Sequence, residues 1–203
     1  EKENMIAWRW VVSGNWTSQN SFQSDLGMTG IDEFGDVWGE WNCPSIDLQD
    51  AFGFNVLDDP KSRPDVDTRR KATFMTIGDV VPYLWRDHGG FDYMRFEYDK
   101  TYNDAAWEQH RAPTGCNVVK HMYGNNADHM AALGSSADRM ASSLCTPLLR
   151  LADVYLVLAE AKVLMGQGSD ADALKAFNAV HQRAIPNATA KTSLTFDDVW
   201  KES

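Results

Sequence analysis

The chain has 203 residues, of which 43% are hydrophobic, so it can bury a core as one domain or as one large piece of a bigger domain. Its net charge of −10 argues against nucleic acid as a partner, because phosphate backbones are bound by clustered Lys and Arg. No uninterrupted apolar run reaches the length of about 18 residues that a transmembrane helix needs. An acidic surface fits neutral or basic ligands better.

The cysteines and the missing motifs narrow the chemistry further. Cys43, Cys116 and Cys145 are an odd number without a C-x-x-C pair or a histidine at zinc-finger spacing, so neither a disulfide framework nor a zinc site is predicted. The chain contains no G-x-S-x-G, no H-E-x-x-H and no Gly-rich phosphate loop. No motif indicates an enzyme or a cofactor, so the expectation is a non-enzymatic protein without a cofactor, with a glycosidase kept as an alternative.

The first part of the chain is predicted to be loop-rich, because Gly, Pro, Asn and Asp interrupt almost every apolar run. Met5–Val12 suits a short buried strand, since it combines aromatic and β-branched side chains. Ser45–Phe52 is predicted as a short helix that Ser45 caps. Val118, Val119 and Met122 indicate another short strand.

The pattern changes at Pro147, where apolar residues begin to recur at helical spacing and continue to about Met165. That predicted helix carries Leu148, Leu151, Ala152, Tyr155, Leu158, Ala159 and Leu164 on one face. Gly166 and Gly168 are expected to close it. Ser169 and Asp172 are expected to open a second helix, which Pro186 ends. The same face of that helix carries Ala173, Leu174, Phe177, Val180 and Ala184.

This spacing matches a tetratricopeptide-like helical hairpin, and one such unit cannot bury both of its faces. We therefore expect it to pack on further helices outside this chain. Beyond the hairpin, Thr195 is predicted to cap the start of another helix. The expected organisation is a loop-rich region at 1–146, which carries the candidate ligand surface, and a helical region at 147–203.

Several segments resemble one protein family. Leu149–Ala161, with the sequence LRLADVYLVLAEA, closely resembles the hallmark helix of the SusD/RagB family. The other segments that resemble it, in the family's order, are Asp47–Phe52, Asp58–Pro60, Asp67–Thr73, Gly115–Lys120 and Thr195–Glu202. Both regions would then be parts of one SusD-like domain that extends past both ends of the chain, and the family's lipidated cysteine is expected upstream.

The resemblance implies a mainly α fold with long ordered loops and a few short strands. It also implies a lipoprotein of Bacteroidetes, anchored on the outward face of the outer membrane. Family members pass oligosaccharides or other nutrients to a SusC-like, TonB-dependent transporter, so the resemblance implies non-catalytic carbohydrate binding at the cell surface.

Sugar binding requires flat aromatic faces with a few polar side chains beside them. Trp38 and Trp41 are the best candidate pair, because glycines and a proline around them predict a loop. Asn42 is the candidate polar contact, and Trp16 and Trp85 are further candidates in polar surroundings. The alternative for each tryptophan is a core position, since Trp is largely buried on average.

Two other functions stay open at this point, namely a glycosidase and a repeat-type scaffold that binds protein. A glycosidase needs two carboxylates that flank the glycosidic bond, and no pair stands out among the acids. The acids that could donate oxygen ligands to calcium are Asp58, Asp59, Asp65 and Asp67, although the usual calcium-binding loop pattern is absent from the sequence. The basic run at Arg69, Arg70 and Lys71 is predicted to be a solvated turn.

Overall fold

The computed structural model describes residues 3–10, 26, 42–55, 57–61, 63, 65–102, 114–135 and 143–203. The chain divides into two compact units, which are Glu1–Trp8 with Val66–Thr68 and Thr146–Ser203 (unit 1) and Arg9–Asp65 with Arg69–Cys145 (unit 2). The expected division into 1–146 and 147–203 stays a prediction. No helix in the described ranges is long and apolar enough to cross a membrane.

The described part of the chain is rich in helices and has a few short strands, which agrees with the predicted class. The elements are β1 (Asn4–Trp8), α1 (Ile46–Ala51), α2 (Arg69–Thr73), β2 (Phe74–Thr76), β3 (Val80–Val81), a 3-10 turn (Arg86–His88), β4 (Phe91–Asp92), α3 (Tyr93–Tyr98), β5 (Cys116–Val118), α4 (Asn126–Leu133), β6 (Thr146–Arg150), α5 (Leu151–Leu164), α6 (Ala171–Ala184) and α7 (Phe196–Glu202). The strands pair antiparallel as β1 with β6, β2 with β5 and β3 with β4.

Half of the residues in the core of unit 2 are aromatic, and this core lies under the 3-10 turn. Its buried members are Met75, Val81, Leu84, Trp85, Phe91, Tyr93, Phe96, Tyr102, Val119 and Met122. The predicted strand near Val118 forms, but it starts at Cys116 and ends at Val118. It ends there because its partner strand β2 begins only at Phe74, directly after α2. The N–H of Val119 still donates to the carbonyl of Thr73, the last residue of α2, at 3.0 Å.

The three cysteines, all of them among the described residues, form no disulfide. Cys116 is fully buried in a small cluster with Phe54 and Phe74. Burial away from water raises the pKa of its thiol to about 11. Cys116 is therefore protonated at neutral pH.

The helical hairpin of unit 1 forms as predicted, although its first helix begins later. Leu148 belongs to β6, which pairs with β1, so α5 starts only at Leu151. Gly166 takes the left-handed conformation expected at a helix end, with φ +76°. The cap of α6 is Asp170 rather than Ser169, because the Asp170 carboxylate accepts from two backbone N–H groups of the first turn.

The two helices pack through small residues facing large ones. Ala152, Leu156 and Ala159 of α5 are buried against α6. The buried residues of α6 are Ala173, Ala176, Phe177, Val180 and Ala184. Leu194 and Val199 complete this core from α7 and the loop before it. Thr195 caps α7 as predicted, with its side chain accepting from the N–H of Asp198 at 3.2 Å.

The strand predicted near the N-terminus exists but is not buried. Its described part, Asn4–Trp8, pairs with β6 in a two-stranded ribbon. Two strands alone leave much of their side-chain surface uncovered. Met5, Ile6 and Trp8 are accordingly more than half exposed in unit 1. Pairing therefore makes this segment a strand without covering its apolar side chains.

Candidate functional site

Three of the tryptophans predicted to bind sugar, Trp16, Trp38 and Trp41, lie outside the described residues, and their role stays a prediction. Asn42 is described and is exposed. It stands at the start of the segment that leads into α1. Its exposure leaves the Asn42 side chain accessible for the polar contact proposed for it.

The segment that follows Asn42 is held to the rest of unit 2 by a buried glutamine. The side-chain amide of Gln49 donates to the carbonyl of Pro44 at 3.4 Å and to the carbonyl of Thr114 at 3.2 Å. Gln49 is buried although it is polar, and these bonds compensate its loss of water. The chain is therefore fixed just after the predicted tryptophan pair.

Trp85 occupies a core position, the alternative expected for any tryptophan. Its residue surface is only 4% exposed, so the ring offers no open face to a ligand. The rings around it are His88, stacked at 4.5 Å, and, at steeper angles, Phe91 at 5.7 Å, Phe96 at 5.6 Å and Tyr102 at 5.3 Å. The ring of Trp85 thus packs against the inner side of the 3-10 turn Arg86–His88.

The backbone at Trp85 is held by a buried carboxylate of α4. Trp85 has φ +52°, a left-handed conformation that is uncommon for a bulky side chain. Asp128 is fully buried and accepts from the N–H of Trp85 at 2.6 Å and of Arg86 at 3.1 Å. It also accepts from the N–H of Asn125 at 3.1 Å. This single side chain therefore fixes the turn against the segment that precedes α4.

The outward side of this turn, which we call the rim, consists of Tyr83, Arg86, Asp87 and His88. The Asp87 carboxylate accepts from the Asn125 amide at 3.0 Å and lies 2.8 Å from Nδ1 of His88. Partial burial opposes ionisation of Asp87, but these two hydrogen bonds outweigh it and hold the pKa of the carboxyl below its ordinary value. The rim thus combines an aromatic ring with a cation and an anion.

The basic run that was predicted to be a solvated turn is in fact part of α2, and its middle residue is buried. Arg70 is 2% exposed, and its guanidinium binds Asp65 at 2.6 Å and Asp79 at 2.5 Å. It also lies over the rings of Phe54 and Phe74. The prediction was wrong because the two acids compensate the buried charge, and no motif in the run itself indicates them.

These ion pairs also involve Asp65, one of the acids that the sequence suggested as calcium ligands. Asp65 binds Arg70 and Lys71, and the hydrogen bonds and charges of these two residues outweigh partial burial, so the pKa of Asp65 is lowered. Over the residues that the structure describes, no group of three or more His, Cys, Asp or Glu side chains is arranged to hold a metal ion. Asp65 is thus part of an ion-pair network.

Comparison with known proteins shows which protein family the chain matches, which the geometry alone does not. A family model described as the SusD family matches residues 16–202. A SusD-like protein from Bacteroides ovatus is 31% identical over 206 aligned positions, which cover 99% of this chain and 31% of that protein. The segment that resembles the hallmark helix spans the end of β6 and most of α5.

Two crystal structures superpose on the whole chain, each at 30% sequence identity. The first has a TM-score of 0.71, and the alignment covers 34% of its chain. The second has a TM-score of 0.70, is covered to 35%, and is described as a structure with xylogluco-oligosaccharide. The chain thus spans about a third of the length of the relatives it matches. Because the family model matches nearly the entire sequence, the chain belongs to the SusD family.

Proposed function

We propose that the protein containing this chain binds oligosaccharides at the cell surface and does not cleave them. The observation that carries the proposal is the solved relative with TM-score 0.70 that is described with xylogluco-oligosaccharide. Family membership over residues 16–202 supports it. The acidic net charge of −10 is compatible with an uncharged ligand.

The proposed platform consists of Trp38 and Trp41, with Asn42 as a polar contact and Trp16 as a further aromatic face. The exposed position of Asn42 supports this assignment, because a polar contact must be reachable from solvent. The anchoring of the segment behind it by Gln49 also supports it, since a fixed backbone lowers the entropy lost on binding. Trp85 is buried and is therefore not part of this platform.

The location and the transporter partner are proposed from the family alone. We place the protein on the outward face of a bacterial outer membrane, held by a lipid anchor, where it delivers its ligand to a SusC-like, TonB-dependent transporter. Accessibility of the protein to protease added to intact cells would test the location. Co-purification with a transporter barrel would test the partner.

The hairpin of α5 and α6 is proposed to be a tetratricopeptide-like layer that packs on further helices of the same receptor. Val157 and Leu164 on α5 are more than half exposed in unit 1. A helix that is apolar on several sides is usually covered on several sides. Low hydrogen exchange along the outer face of α5 in the whole protein would support this, and rapid exchange there would contradict it.

The decisive experiment uses the whole gene product on a glycan array and then in affinity electrophoresis through xyloglucan. Trp38→Ala and Trp41→Ala should each abolish most of the retention, because each removes a ring that stacks on a sugar. The matched control is Trp8→Ala, since Trp8 is 58% exposed on β1 but is not part of the platform.

The outcomes separate the candidate functions. Unchanged retention in both platform variants would remove Trp38 and Trp41 from the site. Shortening of a labelled oligosaccharide during incubation would support the glycosidase instead. Failure to retain any glycan, together with stable capture of a protein partner, would support the scaffold.

A further inference from the structure

Strained backbone is concentrated around the rim. In the described ranges, the two non-glycine residues with left-handed φ are Trp85, at +52°, and His121, at +72°. The segments that hold them, 83–88 and 121–125, are joined by Asp128 and by the bond between Asp87 and Asn125. Such conformations persist only where the surroundings fix them, and they are common at ligand contacts.

The close packing around Asp128 depends on a glycine. Gly124 has φ +100°, and a Cβ atom there would lie 2.0 Å from Oδ2 of Asp128. Only glycine allows the chain to pass so close to the carboxylate that holds Trp85 and Arg86. The backbone of the rim is thus fixed from the side of α4 by Asp128 and from below by the ring of Trp85.

What the fixed turn presents outward is suited to a sugar. Tyr83 is 40% exposed, and an aromatic side chain that reaches solvent can stack on a sugar ring. Nε of Arg86 donates to the carbonyl of Tyr83 at 3.2 Å, and over the described residues its two terminal amino groups have no partner. These groups can donate to hydroxyl oxygens. The charge of Arg86 is balanced by Asp87, which favours a neutral ligand over an anion.

We propose that the rim is a second contact for the oligosaccharide, in addition to the tryptophan platform, with Tyr83 stacking on a pyranose ring and Arg86 donating to its hydroxyl groups. This inference rests on the proposed function and names a part of the surface that the aromatic pattern of the sequence did not indicate. Trp85 and Asp128 position the contact and do not touch the ligand.

Calorimetry on the whole protein with xylogluco-oligosaccharide tests the inference. Tyr83→Ala and Arg86→Met should each raise the dissociation constant about fivefold to tenfold, as expected for one lost contact of this kind. The matched control, Tyr98→Ala, should leave it unchanged, because Tyr98 is 74% exposed at the end of α3, outside the rim. Circular dichroism checks that the variants fold.

The possible results distinguish failure of the rim contact from failure of the proposed glycan binding. If Tyr83→Ala and Arg86→Met bind like the wild type while Trp38→Ala does not bind, the rim is overturned and the platform stands. If Arg86→Met loses binding only to uronate-containing glycans, the assignment to a neutral sugar is wrong. If the wild type binds no glycan on the array, both proposals fall.

A crystal structure of the wild type with the bound oligosaccharide provides an independent test that does not depend on any variant. A sugar hydroxyl within hydrogen-bonding distance of the Arg86 guanidinium would support the contact. A bound sugar that leaves both Arg86 and Tyr83 untouched would overturn it.

Discussion

The carboxylate of Asp128 accepts a 2.6 Å hydrogen bond from the backbone N–H of Trp85, 43 positions earlier in the chain. The same carboxylate closes a capping box with Asn125 at the start of α4. One acid therefore stabilises a helix end and a left-handed turn together. A buried acid in this family member thus has a structural role that needs no catalysis to explain it.

Asp128→Asn should lower the free energy of unfolding by about 2–3 kcal/mol, because the amide replaces an acceptor oxygen with a donor that faces a backbone N–H. Urea unfolding of the whole protein, followed by tryptophan fluorescence, measures this. The control is Asp50→Asn at the exposed end of α1, which should stay within about 0.5 kcal/mol of the wild type. Equal effects of the two substitutions would contradict the anchoring role of Asp128.

Arg70→Met should lower the free energy of unfolding by about 3–5 kcal/mol, because it leaves the largely buried carboxylate of Asp79 without its charged partner. Lys71→Met is the matched control, since Lys71 is the next residue and also binds Asp65, but its side chain is 61% exposed. Its loss should cost no more than about 1 kcal/mol. Denaturant midpoints measure both, and a similar cost for the two would show that the buried pairing is weak.

The local parts of the fold were predictable because the residues that decide them lie close together in the chain. Thr195 and Asp198, three positions apart, fix the start of α7, and Gly166 fixes the end of α5. The late start of α5 was missed because it depends on β1, which is distant in sequence and pairs with Thr146–Arg150. Helical spacing alone does not contain that information.

For the candidate site, too, the sequence was sufficient to propose some residues and missed others. Composition and turn residues were sufficient to propose Trp38 and Trp41, and nothing in the described residues tests them. The burial of Trp85 depends on an aromatic core assembled from several segments, and the rim depends on Asp128 from a later helix. Neither relationship leaves a local motif, so the polar surroundings of Trp85 in the sequence suggested exposure.

Gly168→Ala should destabilise unit 1 by more than about 1 kcal/mol, since a Cβ atom there would lie 2.2 Å from the carbonyl oxygen of Leu194. Backbone would have to move, because the N–H of Leu194 also donates to the carbonyl of Gly168 at 2.8 Å. Gly166→Ala is the control, with open space around its Cβ and only the left-handed φ of +76° to oppose alanine, at about 1 kcal/mol. Thermal unfolding should place the Gly168 variant below the Gly166 variant, and the reverse order would contradict this packing.

Asp198 should make the stability of unit 1 depend on pH in the acid range. A hydrogen bond from Lys191, followed by those from Thr195, lowers the pKa of its carboxyl from 3.8 to about 2. Because the folded-state pKa is the lower one, the stabilisation is fully present above the unfolded value and is lost as the pH falls towards 2. Asp198→Asn should therefore cost about 1 kcal/mol at pH 6, as loss of a cap does, and progressively less below pH 4.

The control is Asp197→Asn, because the side chain of Asp197 is 69% exposed and pairs with Lys201 on the surface. Urea midpoints measured from pH 6 to pH 2 should converge for the wild type and the Asp198 variant, and a gap that stays constant would show that Asp198 is not the titrating group.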